Sequence, residues 1–86
     1  MDFPDVLDGA SVLEFSDCGD YGTIEGDPRE IRHLAVCRYE GNSGYYLFFC
    51  TASGGGYDVV TDDLLESLED CKDSAARFGN VIWHKK

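Results

Sequence analysis

The segment at residues 45–51, YYLFFCT, constrains the fold more than any other part of this 86-residue chain. It is rich in the aromatic residues that favour strands, and its alternating side chains are apolar on both sides. A strand that is apolar on both faces belongs at the centre of a sheet, where each face can be covered. We therefore expect residues 45–51 to form a central strand, with one face under a helix and the other partly exposed.

The segments on either side of this run predict its strand partners. Residues 31–39 alternate at strand period, and residues 40–44 (EGNSG) form a strong turn signal, so residues 31–51 predict a hairpin. One face of the first strand would carry Ile31, His33, Ala35, Cys37 and Tyr39. After the central strand, residues 53–56 (SGGG) predict a turn and residues 57–61 (YDVVT) a further strand.

Shorter apolar runs predict strands nearer the two ends of the sequence. Residues 12–15 and residues 21–25 flank the turn-forming sequence SDCGD, so together they predict a first hairpin. Residues 81–84 (VIWH) predict a last short strand.

A single helix is predicted between the strand at residues 57–61 and this last strand. Thr61 or Asp62 can cap its N-terminus, and Gly79 supplies a left-handed stop after Phe78. Its apolar stripe consists of Leu64, Leu68, Cys71, Ala75 and Phe78, with Leu65 widening the stripe.

This order of elements predicts the fold class. Strands, then one helix, then a closing strand favour an α+β fold with a small antiparallel sheet of about five to six short strands. We expect the helix to be amphipathic and to pack on one face of the sheet. A chain of 86 residues has room for one hydrophobic core, so residues 1–86 are expected to form a single acidic domain.

The charge balance narrows the classes of partner. Seventeen acidic residues against seven lysines and arginines give a formal net charge of −10. Such a field repels phosphate backbones and anionic membranes, and it attracts basic proteins or metal ions. The opening sequence MDFPDV lacks the basic residues of a signal peptide, and no apolar run is long enough for a membrane span. We therefore expect a cytoplasmic protein that binds neither nucleic acid nor membrane.

The cysteines do not form a recognisable metal or redox motif. No C-x-x-C pair links Cys18, Cys37, Cys50 and Cys71, and a reducing cytosol favours free thiols, with disulfides as the alternative for a secreted protein. Cys37, Cys50 and Cys71 occupy apolar core positions. Cys18 is the only cysteine in a predicted loop, but its acidic neighbours Asp17 and Asp20 oppose thiolate formation.

The other motifs that could carry chemistry are equally weak. His33 and His84 are 51 residues apart and form no ligand pair, and the carboxylates between Asp17 and Asp27 lack the order of a calcium loop. The SGGG run has no following lysine and leads into a strand, so it does not resemble a phosphate loop. We expect no catalytic residues, no metal site and no cofactor, and we predict that the protein is not an enzyme.

An acidic stripe on the predicted helix is the one feature that indicates a particular binding surface. Its members are Asp62, Glu66, Glu69 and Asp73, with Asp63 and Asp70 nearby. Only Lys72 and Arg77 balance these six acids, so repulsion along the helix goes largely uncompensated. The predicted partner-binding residues are Glu66, Glu69, Asp70 and Asp73.

Two functions fit this sequence. In the first, the protein is a small acidic binding or inhibitory module that docks on a basic protein surface, like an immunity protein or a nucleic-acid mimic in charge and size only. In the alternative, it is a structural or regulatory domain whose charge only keeps it in solution.

Overall fold

One curled antiparallel sheet organises this molecule, a computed structural model of which describes residues 3–86. The described elements are β1 (Val6–Leu7), β2 (Ala10–Ser16), β3 (Thr23–Ile24), β4 (Asp27–Glu30), β5 (His33–Arg38), β6 (Tyr45–Ser53), β7 (Gly56–Leu65), α1 (Leu68–Ala75), a 3-10 turn (Ala76–Phe78) and β8 (Trp83–Lys85). The fold is therefore α+β, with one short helix followed by a C-terminal strand.

The main sheet is antiparallel and has the strand order β1-β2-β5-β6-β7. Strand β8 pairs with the end of β2, on the side opposite β5, while β3 and β4 form a separate two-stranded ribbon. The strands at the two ends of the order, β1 and β7, contact each other, so the sheet is curled.

Strand β6 is an interior strand paired with β5 and β7, although β5 is the middle strand of the order, and both faces of β6 are buried over residues 47–51. Phe48 and Cys50 belong to a core cluster with the N-terminal Phe3, whereas Leu47 and Phe49 belong to a second cluster on the other face. All four β6 residues are at most 1% exposed. The expectation that one face of this strand is partly exposed is therefore wrong, because the N-terminal segment and β1 cover it.

The turn between β6 and β7 is confirmed at the predicted glycines. Ser53 pairs with Gly56, and the two residues between them have positive φ angles, 51° at Gly54 and 83° at Gly55. Two successive positive φ angles match the twist of a tight hairpin, and glycine adopts them without steric cost.

The helix begins later than the apolar spacing predicts. Residues 61–65 continue β7, because Leu65 pairs with Tyr45 and Asp62 with Phe48 along the full length of β6. The helix instead begins after Ser67, whose hydroxyl accepts a hydrogen bond from the amide of Asp70 at 3.0 Å. Leu64 is consequently on a strand and 62% exposed, so its place in the helical stripe was predicted wrongly.

The predicted first hairpin is also wrong. The run at residues 12–15 belongs to β2, which pairs with β5 and β8, and residues 21–25 do not pair with it. The amide of Tyr21 donates to the carbonyl of Ile31 at 3.0 Å, and the Tyr21 ring lies edge-on to Phe78 at 5.9 Å. These contacts draw the segment towards the helix end and away from β2.

The helix is tied to the sheet by apolar contacts and by an ion pair. Cys71 and Ala75 are fully buried in the cluster that contains Leu47 and Phe49. On the same helix, Lys72 Nζ lies 2.8 Å from a carboxylate oxygen of Glu14 on β2, and Glu14 is only 4% exposed. Because an unpaired buried carboxylate is costly, Lys72 is structurally required at this position.

Candidate functional site

The four predicted partner-binding residues lie at the start of the helix. Glu66 is in the bend before the Ser67 cap, Glu69 and Asp70 are in the first turn of α1, and Asp73 is on the next turn. All four side chains are exposed. We call Glu66, Glu69, Asp70 and Asp73 the acidic patch. The helix dipole favours acids in the first helical turn, so the presence of Glu69 and Asp70 there has a structural explanation.

The cations closest to the acidic patch in sequence are engaged elsewhere. Lys72 pairs with the buried Glu14, and Arg77 lies 3.6 Å from Asp63 while its guanidinium stacks over the ring of Phe78 at 4.9 Å. Within residues 3–86, none of the four patch carboxylates forms an ion pair. The patch therefore keeps its negative charge uncompensated by side-chain contacts.

The longer acidic stripe of the sequence prediction is divided between two elements. Asp62 and Asp63 lie on β7 and not on the helix, because the sheet ladder extends to Leu65. Asp62 is exposed, whereas Asp63 is half-buried and faces Arg77. The predicted helical stripe from Asp62 to Asp73 is thus wrong at its start, although the four predicted partner-binding residues remain grouped around the start of the helix.

A cleft next to the patch was not predicted. It has a volume of about 680 Å³ and is lined by Asn42, Ser43, Gly44, Tyr46, Leu64, Leu65 and Glu66. Leu64 packs across Gly44, where a side-chain carbon would come within 2.5 Å of the leucine methyl group. The apolar Leu64 and the acidic Glu66 therefore line the same cleft. Sequence reasoning missed this neighbourhood because it assigned Leu64 to the core.

Three of the four thiols are buried, as predicted, and all four are free. Desolvation raises the pKa of Cys37 and Cys50 to about 12 and that of Cys71 to about 11, so these thiols stay protonated at physiological pH. Cys18 is exposed.

The two histidines have different surroundings. His84 on β8 contacts the carboxylate of Asp17. His33 is only 9% exposed and packs between aromatic rings, with centroid distances of 5.2 Å to Phe3 and 4.9 Å to Tyr57. Its Nδ1 is enclosed and has no hydrogen-bond partner among residues 3–86. Burial lowers the pKa of His33 below 6.5, and the nearby charge of Asp17 only partly opposes this effect.

A second cleft brings Cys18 and His33 together. It has a volume of about 450 Å³, and its lining also includes Arg32, Ala52, the β6–β7 turn at residues 53–56 and Tyr57. We call this space the cysteine cleft. Its two reactive residue types come from segments that the sequence separates, and no local motif indicates that they meet.

Among residues 3–86, no group of three or more histidine, cysteine or carboxylate side chains is arranged to hold a metal ion. No helix in this part of the chain is long and apolar enough to cross a membrane.

Comparison with known proteins gives no family: no family model, curated protein or solved structure matches this chain significantly.

Proposed function

We propose that this protein is a binding module that docks on a basic protein surface through the acidic patch. The observation that carries the proposal is the grouping of Glu66, Glu69, Asp70 and Asp73, which are exposed and have no ion-pair partners in the described chain. Clustered charge of one sign accelerates encounter with a complementary surface and disfavours partners of like charge.

The position of the helix supports this mode of binding. We take α1 to be amphipathic, with Cys71 and Ala75 on one face of the sheet and the patch on its outer side. The Ser67 cap and the Lys72–Glu14 ion pair hold the start of the helix in place. The carboxylates of the acidic patch are therefore ordered before a partner binds. A pre-ordered surface loses less conformational entropy on binding.

An inhibitory role follows from the same charge. An acidic surface that covers a basic substrate-binding groove blocks that groove, as immunity proteins and nucleic-acid mimics do; the likeness to such proteins is one of size and charge only. We place this activity in the cytoplasm and propose that it involves no catalysis.

Affinity capture from a cell extract tests the proposal. Immobilised protein should retain a basic protein at low salt and release it at high salt, because counter-ions screen exposed charges over about 8 Å at physiological ionic strength. The variant Glu69→Lys/Asp73→Lys should retain much less of it.

The matched control is Glu25→Lys/Glu40→Lys. Both of these residues are exposed, neither forms an ion pair within residues 3–86, and the control changes the net charge by the same amount. If both double variants retained the partner equally and less than the native protein did, binding would depend on net charge alone. Equal retention by all three proteins, or capture that salt does not affect, would support the alternative in which the charge only keeps the domain in solution.

A further inference from the structure

Strand β7 leaves one edge of the main sheet open. It is the longest strand of the described chain, with ten residues, and it is last in the strand order, so β6 is its only paired neighbour there. Within residues 3–86, no backbone hydrogen bond joins β7 to any other strand or loop. A long edge strand with unpaired backbone groups is a ready template for a further strand.

The C-terminal half of β7 is the exposed part of this edge. Residues 57–59, nearer the start of the strand, share a small cleft of about 260 Å³ with Leu7 of β1 and Arg29 of β4, so other segments flank the edge there. Further along the strand, the side chains of Asp62 and Leu64 are exposed. The helix packs on a face of the sheet and does not extend the ladder.

Two residues of this half direct their backbone groups away from β6. The hairpin closes on Ser53 and Gly56 beside a two-residue turn, and the closing pair of such a hairpin is hydrogen-bonded. Bonded and non-bonded pairs alternate along an antiparallel ladder. Counting along β6 from the turn makes the pairs of Asp62 and Leu64 non-bonded, so their N–H and C=O groups point outwards. We call residues 61–65 the free edge.

The charge on the free edge determines what kind of strand it accepts. Arg77 lies 3.6 Å from Asp63, whereas Asp62 forms no ion pair within residues 3–86. A second copy of the chain would bring one free edge against another, and two molecules of net charge −10 repel each other. A basic segment instead places a cation across from Asp62, and opposite charges on neighbouring strands stabilise the pairing.

We propose that the free edge binds an extended basic segment of another protein, which adds to the main sheet as a strand beside β7. Backbone hydrogen bonds to Asp62 and Leu64 hold the segment, and a lysine or arginine opposite Asp62 selects it. This binding does not depend on docking through the acidic patch.

A synthetic peptide tests the free edge. The probe is a labelled, capped hexapeptide of alternating lysine and valine, and its binding to the full-length protein is measured by fluorescence anisotropy at low salt. The matched control peptide has the same side chains, but its internal amides are N-methylated and cannot donate hydrogen bonds. The control should bind at least about tenfold more weakly. A peptide with glutamate in place of lysine should not bind.

Hydrogen exchange followed by NMR locates the bound peptide. The lysine peptide should slow exchange of the Asp62 and Leu64 amides by about tenfold. Asp62→Lys should weaken binding by about fivefold or more, and Glu25→Lys, which makes the same change in net charge at another exposed position, should weaken it less. Circular dichroism checks that both variants fold; if Asp62→Lys does not, the two lysine peptides and the exchange data from the native protein decide alone.

The double variants of the proposed function separate this surface from the acidic patch. Glu69→Lys/Asp73→Lys and Glu25→Lys/Glu40→Lys should weaken peptide binding equally, because neither changes the free edge. Absence of peptide binding, equal binding of the N-methylated control, or protection of other amides in place of Asp62 and Leu64 would overturn the proposal. So would a dimer of the free protein in which these two amides are already protected, because a second copy would then occupy the free edge.

Discussion

At the scale of single residues, His33 is a buried histidine whose Nδ1 has no hydrogen-bond partner in the part of the chain that the structure describes. A histidine whose pKa falls on folding favours the native state when it is neutral, so its contribution is complete above its unfolded pKa near 6.5. As the pH falls below 6.5, the unfolded chain binds a proton that the folded chain resists. Stability should therefore decline below that pH.

This linkage predicts a difference between two unfolding series. The free energy of unfolding of the native protein, measured by urea denaturation, should fall as the pH drops below about 6.5. In the His33→Gln variant the free energy of unfolding should depend less steeply on pH in this range, since glutamine does not titrate. A parallel decline in both proteins would assign the effect to other groups.

The thiols provide a second prediction at this scale. A chromogenic thiol reagent should titrate one fast-reacting group, Cys18, in the folded protein and four groups after denaturation, because burial protects the others. A native mass four hydrogens below the fully reduced value would contradict the free thiols.

At the scale of elements, the end of β7 and the start of the helix determine which leucines stabilise the fold. Leu47→Ala on β6 should cost about 2–5 kcal/mol, because a fully buried side chain leaves a cavity. Leu68 is half-buried against the same cluster, so Leu68→Ala should cost about 1–2 kcal/mol, less than the 2–5 kcal/mol expected for a core position.

The discriminating variant is Leu64→Ala. If Leu64 lay on a helix facing the sheet, this substitution would be strongly destabilising. Because Leu64 is on β7 and 62% exposed, the substitution should lower the free energy of unfolding by less than about 0.5 kcal/mol. Chemical denaturation of the three variants measures the order, and a cost for Leu64→Ala as large as that for Leu47→Ala would contradict the observed helix start.

The elements also show where sequence reasoning succeeds. The β6 strand and its glycine turn were predictable because a long apolar run and successive glycines are local signals. The helix start was not, since pairing with β6 outweighed the helical spacing of Leu64 and Leu68. A local signal was present: Ser67 is followed by acids in the first helical turn, as at many helix N-termini.

The acidic patch and the cysteine cleft also differ in how well the sequence predicts them. Exposure of the acidic patch follows from its charges, so the sequence predicted it directly. That Cys18 and His33 line one cleft depends on long-range contacts between residues 16–19 and residues 32–34, which no local pattern encodes. The sequence could not predict the burial of Glu14 either, because its ion-pair partner Lys72 lies on an element that is distant in sequence.

At the scale of the whole molecule, a net charge of −10 produces repulsion that opposes compaction. Added sodium chloride should screen this repulsion and raise the melting temperature at neutral pH, with most of the increase below about 0.5 M. Differential scanning calorimetry measures it. A melting temperature that falls with salt would mean that attractive ion pairs, such as those of Arg29 and Lys86, outweigh the repulsion.

The acidic patch as a docking surface is the central claim, and the association rate with the captured basic partner tests it most directly. Stopped-flow measurement across a range of salt concentrations should give a rate that falls as salt rises for the native protein. Glu69→Lys/Asp73→Lys should slow association by about tenfold or more at low salt, while Glu25→Lys/Glu40→Lys should have a much smaller effect. Equal rates for the native protein and the patch variant, with no dependence on salt, would contradict the claim.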